Sequence, residues 1–414
     1  MGKLFKDEFL NDIRNISIFD VASEYFELNE IGAVYQAKCI HKGDNSPSLT
    51  FFKATNTFCC FGCGAGKQPV TEGSDVISFV MWVEKCSFIE AVRKICLLKG
   101  IQIPTAELSE EDKRKNKMYD EALYLNRLFY KDLQSSTQLL NYLFSRGFTQ
   151  SDIEKFRIGS VPDTLKSQHH HKIVFPLIDI SNRTIGFSYR NMHKELGLGK
   201  PGPKYINSSS SLIFDKGSLF YGLNFVKKMI REKDYVVIGE GFSDCIFSQR
   251  NDIPFISTMG TSLTDKHIDI LSNYTKNIIL WPDGDNAGIN AAKRQVKALE
   301  AEGFKVKIVL YKNQDPDEVI LSFEKEEMSP KEIEEKIKDE ALLPNVMFMH
   351  EALAKYDSEQ LRIRIEVINE IKPFIKDLSS YKYKKFLIED ICHRLRIDEE
   401  TLYDLLEINP NEGG

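Results

Sequence analysis

Apolar residues recur at helical spacing at the start of the chain, at Phe9, Leu10, Ile13 and Ile16. The pattern then changes to short alternating stretches, SLTFF and NTFCCF, separated by turn residues. A helix is predicted from about Asp75 to Glu84, with Ser74 or Asp75 placed to cap it. SFIEAVRKICLLKG predicts another, stopped by Gly100, and this first unit closes near Pro104. Residues 106–117 carry dense charge and no apolar period, which predicts a linker or the solvated start of a helix. Helical patterns continue through Phe144, and a β-rich stretch begins at HKIVFPLIDI.

From Asp234 onward the pattern alternates strand, helix, strand, which predicts a parallel sheet. Its strands, YVVIG, PFIST, NIILW and VKIVLY, are continuous apolar runs of the kind that helices cover on both faces. In such sheets ligands bind beyond the carboxyl ends of the strands. Here those ends carry Glu240, Met259-Gly260-Thr261, Asp283-Gly284-Asp285 and, after the last strand, Asp315-Pro316-Asp317-Glu318. From about residue 326 the chain reads as amphipathic helices.

Length and composition narrow the class. A chain of 414 residues exceeds a single core, so several domains are expected. No apolar run approaches the roughly 20 residues that cross a bilayer, and the opening MGKLFKDEFLNDIRN is not a signal peptide, so no membrane association and a cytoplasmic location are expected. Eight cysteines in this length, three of them crowded in FCCFGC, suggest metal chemistry and not a disulfide scaffold. The net charge of −6 argues against indiscriminate coating of nucleic acid. Residues 160–234 nevertheless hold 12 Lys and Arg against six Asp and Glu, a local excess that suits phosphates.

Two constellations carry chemistry. Cys60 and Cys63 stand at Cys-x-x-Cys spacing in CFGCGAG, with Cys39 and His41 upstream. Together they supply the four ligands of a closed, structural zinc site, with Cys59 as a competing sulfur and His41 the ligand set at unusual spacing. The second constellation is Glu240, Asp283, Asp285, Asp315 and Asp317 at one end of the inferred sheet. Two carboxylates about 4 Å apart repel by roughly 4 kcal/mol at an effective dielectric of 20, so the cluster calls for divalent metal, and hard oxygen ligands select magnesium or manganese. Phosphoryl or nucleotidyl transfer uses such a site, in which Glu240 can bind metal or act as acid or base. Each acid alone could equally be a helix cap or a solvated charge.

The wording around these residues is that of a known family. CIHKGDNSPSLTF, CFGCGAG and GSDVISFVM resemble the zinc-binding domain of DnaG-type primases. VVIGEGFSDC, STMGTSLT, LWPDGDNAG and QDPDEVI resemble, in order, the Toprim domain that these primases share with type IA topoisomerases and some nucleases. YLFSRGFTQSDIEKFRIG, KIVFPLIDISNRTIGFSYR, PKYINSS and FDKGSLFYGL resemble the part of the polymerase domain specific to primases. The chain departs by spacing Cys39 and His41 one residue apart instead of two, and by KQPVTE inserted before Gly73.

The resemblance covers residues 5–325, and more loosely the helices through LRIDEETLYDLL. It implies a multidomain α+β protein: a zinc-ribbon-like β domain (1–105), the linker (106–117), a mixed α+β N-terminal subdomain (118–232), an α/β Toprim subdomain (233–325) and a helical subdomain (326–414). It implies a DNA primase that makes short RNA primers on single-stranded DNA from ribonucleoside triphosphates. Glu240, Asp283 and Asp285 would be catalytic, with Asp315 and Asp317 as further metal ligands. Arg146, Arg190, Lys204 and Lys216 would meet template or nucleotide phosphates, with Tyr205 and Asn207 nearby. A replicative helicase is the expected partner, although little chain follows Ile408 for the family's usual helicase-binding domain. The competing readings are a Toprim nuclease or topoisomerase and a noncatalytic DNA-binding or helicase-loading protein.

Overall fold

The computed structural model describes residues 5–39, 46–66, 74–84, 86–103, 110–165, 169–260, 262–344, 346–347, 361–376, 388–389, 391–393 and 395–408. The first unit begins with α1 (Asp7–Arg14) and α2 (Ile18–Ala22). An antiparallel sheet follows, in the order β1 (Asn29–Ile31), β2 (Val34–Ala37), β3 (Leu49–Phe52), β4 (Thr57–Cys60). Helices α3 (Val76–Glu84) and α4 (Phe88–Lys99) close it. Asp75 starts α3, its Oδ1 accepting the Ser78 N–H at 2.8 Å. Ser87 and Glu90 form a capping box on α4, and Gly100 stops that helix in the left-handed conformation at φ 65°. Phe79 centres the core, meeting Phe51 and Phe58 edge-on at 5.3 and 5.4 Å between rings.

From Glu110 the charged segment is already helical, as the opening of α5 (Glu110–Gln134). Asp112 there pairs with Arg93 of α4 at 2.5 Å. Helices α6 (Thr137–Ser145) and α7 (Gln150–Phe156) lead into a second antiparallel sheet, ordered β5 (Gly159–Ser160), β6 (Ile173–Ile178), β7 (Thr184–Arg190), β8 (Tyr205–Asn207). The short helix α8 (His193–Leu196) lies between its last two strands. Helix α9 (Leu223–Lys233) then crosses to the third sheet.

That third sheet is parallel throughout, in the order β10 (Phe255–Ser257), β9 (Val236–Gly239), β11 (Asn277–Leu280), β12 (Lys305–Ile308). Helices α10 (Phe242–Arg250), α11 (Asp265–Leu271) and α12 (Asn286–Ala301) connect the strands. Two buried layers explain the apolar runs. Val237, Phe255 and Ile279 face one, and Val236, Ile238, Ile256, Ile278 and Leu280 face the other. The expectation of a continuous apolar run fails at β12, which alternates exposed Lys305 and Lys307 with buried Val306 and Ile308. It is one of the two edge strands, where outward lysines discourage pairing with another chain. The chain leaves β9 for β10 on one side and reaches β11 on the other, so the order reverses at the carboxyl end of β9, where Glu240 follows.

Helices α13 (Pro316–Lys325) and α14 (Pro330–Glu340) pack on this core, and helices Leu361–Lys376 and Glu399–Leu406 contribute to a separate apolar cluster. Among the described residues no helix is long and apolar enough to cross a membrane.

Candidate active site and zinc centre

Three loops bring acids to the carboxyl end of the parallel sheet. Glu240 follows β9, and its backbone carbonyl accepts the Ser257 Oγ–H at 2.7 Å, which ties the turn to β10. Burial, then repulsion from Asp285 and Asp315, raises its carboxyl above the usual range. Asp283 follows β11 and is pushed up to about 7 by burial, then by Asp315, Glu240, Asp285 and Asp317. Asp285 is exposed and caps α12, its Oδ1 accepting the Gly288 N–H at 2.7 Å. Asp315 stands at the N-cap position of α13. It is raised by burial and then by Asp317 and Glu318, against the opposing pull of the Gly284 N–H and Lys204.

The glycines of DGDNAG allow this crowding. A Cβ on Gly284 would sit 2.4 Å from the Tyr311 carbonyl oxygen and 2.6 Å from the Gln314 nitrogen; one on Gly288 would sit 2.4 Å from the Asp283 carbonyl oxygen. The loops after β11 and β12 therefore touch backbone to backbone.

Sequence reasoning missed Asp244, the most deeply enclosed acid of the group at 3% exposure. Its Oδ2 accepts the Gly241 N–H at 2.8 Å and its Oδ1 the Asp317 N–H at 3.2 Å, so it joins the start of α10 to the start of α13. Burial, then Asp317 and Asp283, raises its carboxyl well above the usual range. The available signal was its spacing, one helical turn after Glu240 in GEGFSDC.

The donor set is entirely carboxylate oxygen, and its members raise one another's proton affinity, which suits a hard divalent cation. The carboxylates are spread out. Among the described residues only the cysteine trio has ligand atoms that all lie within 4.8 Å of one another.

The basic residues divide. Arg146 reaches Asp317, Nη2 to Oδ2 at 3.4 Å, and Lys204 acts on Asp315 through its charge. Arg190 points inward at 8% exposure. It donates Nη1 to the Tyr205 hydroxyl at 2.8 Å, and Nη2 to the Tyr142 hydroxyl at 2.7 Å and to Glu195 at 3.0 Å. Tyr205 in turn packs its ring 5.3 Å from Phe242, at the start of α10. Asn207 ends β8, its Oδ1 buried without a partner among the described residues. Lys216 opens a 3-10 turn, and burial lowers its ammonium pKa.

In the first unit Cys39, Cys60 and Cys63 converge. Cys60 and Cys59 are neighbours on β4 and so project to opposite faces, which gives Cys60 the buried side and excludes Cys59 from the trio. Burial raises the Cys60 thiol, but the Cys63 N–H at 3.4 Å, followed by Ser48 and Cys39, brings it below its usual value. Gly66 closes the knuckle at φ 71°; a Cβ there would meet the Phe58 carbonyl oxygen at 2.3 Å. His41 and Thr261 lie outside the described residues, as does the insertion before Gly73.

Comparison with known proteins agrees with this arrangement. Residues 5–111 match a family described as CHC2 zinc finger, 164–227 the N-terminal domain of the DNA primase catalytic core, and 237–320 a Toprim-like family. DNA primase of Geobacillus stearothermophilus is 32% identical over 77% of this chain and 58% of its own, and that of Aquifex aeolicus 31% identical over 76% and 66%. The crystal structure of the Aquifex aeolicus primase zinc-binding and RNA polymerase domains superposes with a TM-score of 0.53 at 25% identity, over 96% of this chain and 99% of that one. This chain thus spans well under the full length of the Geobacillus relative. A zinc ribbon followed by a two-part core with acids on the carboxyl edge of a Toprim-like sheet defines the class: a zinc-bearing Toprim protein. Within that class, the chain belongs to the DnaG-type DNA primase family. The CHC2 match and the cysteine trio together support a structural zinc.

Proposed function

We propose that this protein synthesises short RNA primers on single-stranded DNA for replication, by metal-dependent nucleotidyl transfer from ribonucleoside triphosphates. The observation that carries the reading is the mutually repelling set of carboxylates at the topological switch of the parallel sheet, with Asp283 held near 7. Glu240, Asp283, Asp285, Asp315 and Asp317 would hold magnesium or manganese, and Asp244 would lock the two loops that bear them. When bound, the cations neutralise the triphosphate and lower the pKa of the attacking hydroxyl.

The chain's own groups then do the rest. Arg146 and Lys204, beside Asp317 and Asp315, are placed to receive phosphate oxygens that approach those acids. Arg190 supports the wall of the site through Tyr205, while Lys216 and Asn207 would offer further polar contacts to template or nucleotide. Such contacts would bind DNA with little regard to sequence and with marked salt dependence. We assign His41 as the fourth zinc ligand, a replicative helicase as partner and the cytoplasm as location.

The test is incubation with single-stranded DNA, labelled ribonucleotides and magnesium or manganese, beside Glu240→Gln and Asp283→Asn. Short RNA products that fall about 100-fold or more in both variants are expected. DNA cleavage, or binding without products on several templates, would replace this reading with a nuclease or a noncatalytic protein.

A further inference from the structure

We propose that Arg250 is a positioning residue that sets the spacing between the acids of α13 and those beside α10; the inference rests on the metal-binding role given to those acids above. Arg250 is the last residue of α10, the helix that follows Glu240 and carries Asp244 in its first turn. Its guanidinium binds Glu324 with both oxygens, Nε to Oε1 at 3.0 Å and Nη2 to Oε2 at 2.7 Å. Glu324 lies on α13, two helical turns after Asp317, and also accepts the Asn251 Nδ2–H at 2.6 Å. The third guanidinium nitrogen, Nη1, reaches the Gly147 carbonyl oxygen at 3.1 Å and the Asp152 carboxylate. Gly147 is the neighbour of Arg146, which itself reaches Asp317.

These contacts close a ring. It runs from Asp317 to Arg146, through the backbone to Gly147, across Arg250 to Glu324, and along α13 back to Asp317. One planar group thereby fixes α13, α10 and the turn before α7, and each of these bears or adjoins a polar residue of the acidic site. Repulsion between Asp317, Asp315 and the acids after β9 and β11 pushes these elements apart, and the bidentate bond to Glu324 opposes that push from the far end of both helices. Asp152 adds stiffness. It is buried and already caps α7 through Thr149, so it cannot follow a displaced arginine. Lysine has the charge but not the fork, and would hold Glu324 at one point only.

The measurement is Mn2+ binding by the whole zinc-loaded chain, followed by electron paramagnetic resonance of free Mn2+ without template or nucleotide. Arg250→Gln is expected to weaken binding about tenfold or more, with Arg250→Lys between it and the parent. Arg183→Gln is the control for a merely structural loss. Arg183 also makes two bonds to one carboxylate, Asp179 at 2.8 and 2.7 Å, but on the β6–β7 turn, and its loss should lower the melting temperature without altering Mn2+ affinity. Unchanged affinity in Arg250→Gln, or an equal loss in Arg183→Gln, overturns the inference. Should Arg250→Gln fail to fold, Glu324→Gln breaks the same link from α13, and parental Mn2+ affinity in that variant overturns it equally. A parent chain that binds no Mn2+ would instead sink the metal reading of the acids.

Discussion

Replacing Asp283 by Asn should stabilise the metal-free protein while weakening the proposed nucleotidyl transfer. The carboxyl is raised from its ordinary 3.8 to about 7 by burial and by four neighbouring acids. A folded pKa above the unfolded one means that the stability linked to this group is fully present below about 4 and is lost as pH rises through about 7. A shift of about three units is a ceiling of about 4 kcal/mol; with the screening by water that reaches this half-buried group, about 2 kcal/mol remains. Asparagine carries no charge at any of these pH values, so the variant avoids the loss. For a cooperative unit of about 200 residues, the gain at pH 8 corresponds to roughly 4 °C or more in Tm. The assay is a thermal melt of zinc-loaded parent and variant at pH 5 and pH 8, without added magnesium or manganese. The variant should melt only slightly higher than the parent at pH 5, just above the unfolded pKa, and the gap should widen by pH 8; added Mn2+ should raise the parent alone. A variant that melts lower at pH 8, or by the same margin at both pH values, refutes the reasoning.

Gly284→Ala places a methyl group against the backbone of Tyr311 and Gln314, and should cost about 1–3 kcal/mol while weakening Mn2+ binding, both measurable on one purified sample. Cys60→Ser removes a ligand from the trio; zinc measured by atomic absorption should fall, and the near-ultraviolet signal of the Phe79–Trp82 cluster with it, while the melt of the catalytic core persists.

The parts of this protein most legible in the sequence are those dictated by period and backbone geometry. Apolar runs bounded by acids announced the parallel sheet, and Cys-x-x-Cys with its adjacent glycines announced the knuckle, because each motif is read within a few residues. Asp244 was not legible. An acid in the first turn of a helix reads as an ordinary cap, and only the return of α13 against it, some 70 residues later, encloses it. The inward turn of Arg190 is hidden for the same reason: Tyr142, Tyr205 and Glu195 come from three separate segments. The edge character of β12 likewise depends on strand order, which no local pattern states.

The double duty proposed for Asp285, metal ligand and helix cap, has an evolutionary consequence. Its Oδ1 holds the Gly288 N–H and so starts α12, a task that an asparagine side chain performs equally well. Under the proposed function, one base change in its codon would remove a metal ligand without disturbing the scaffold, leaving a folded descendant whose basic residues are untouched. On that reading, loss of the proposed catalysis and loss of structure are separable events, and a lineage can retire the chemistry while keeping the scaffold.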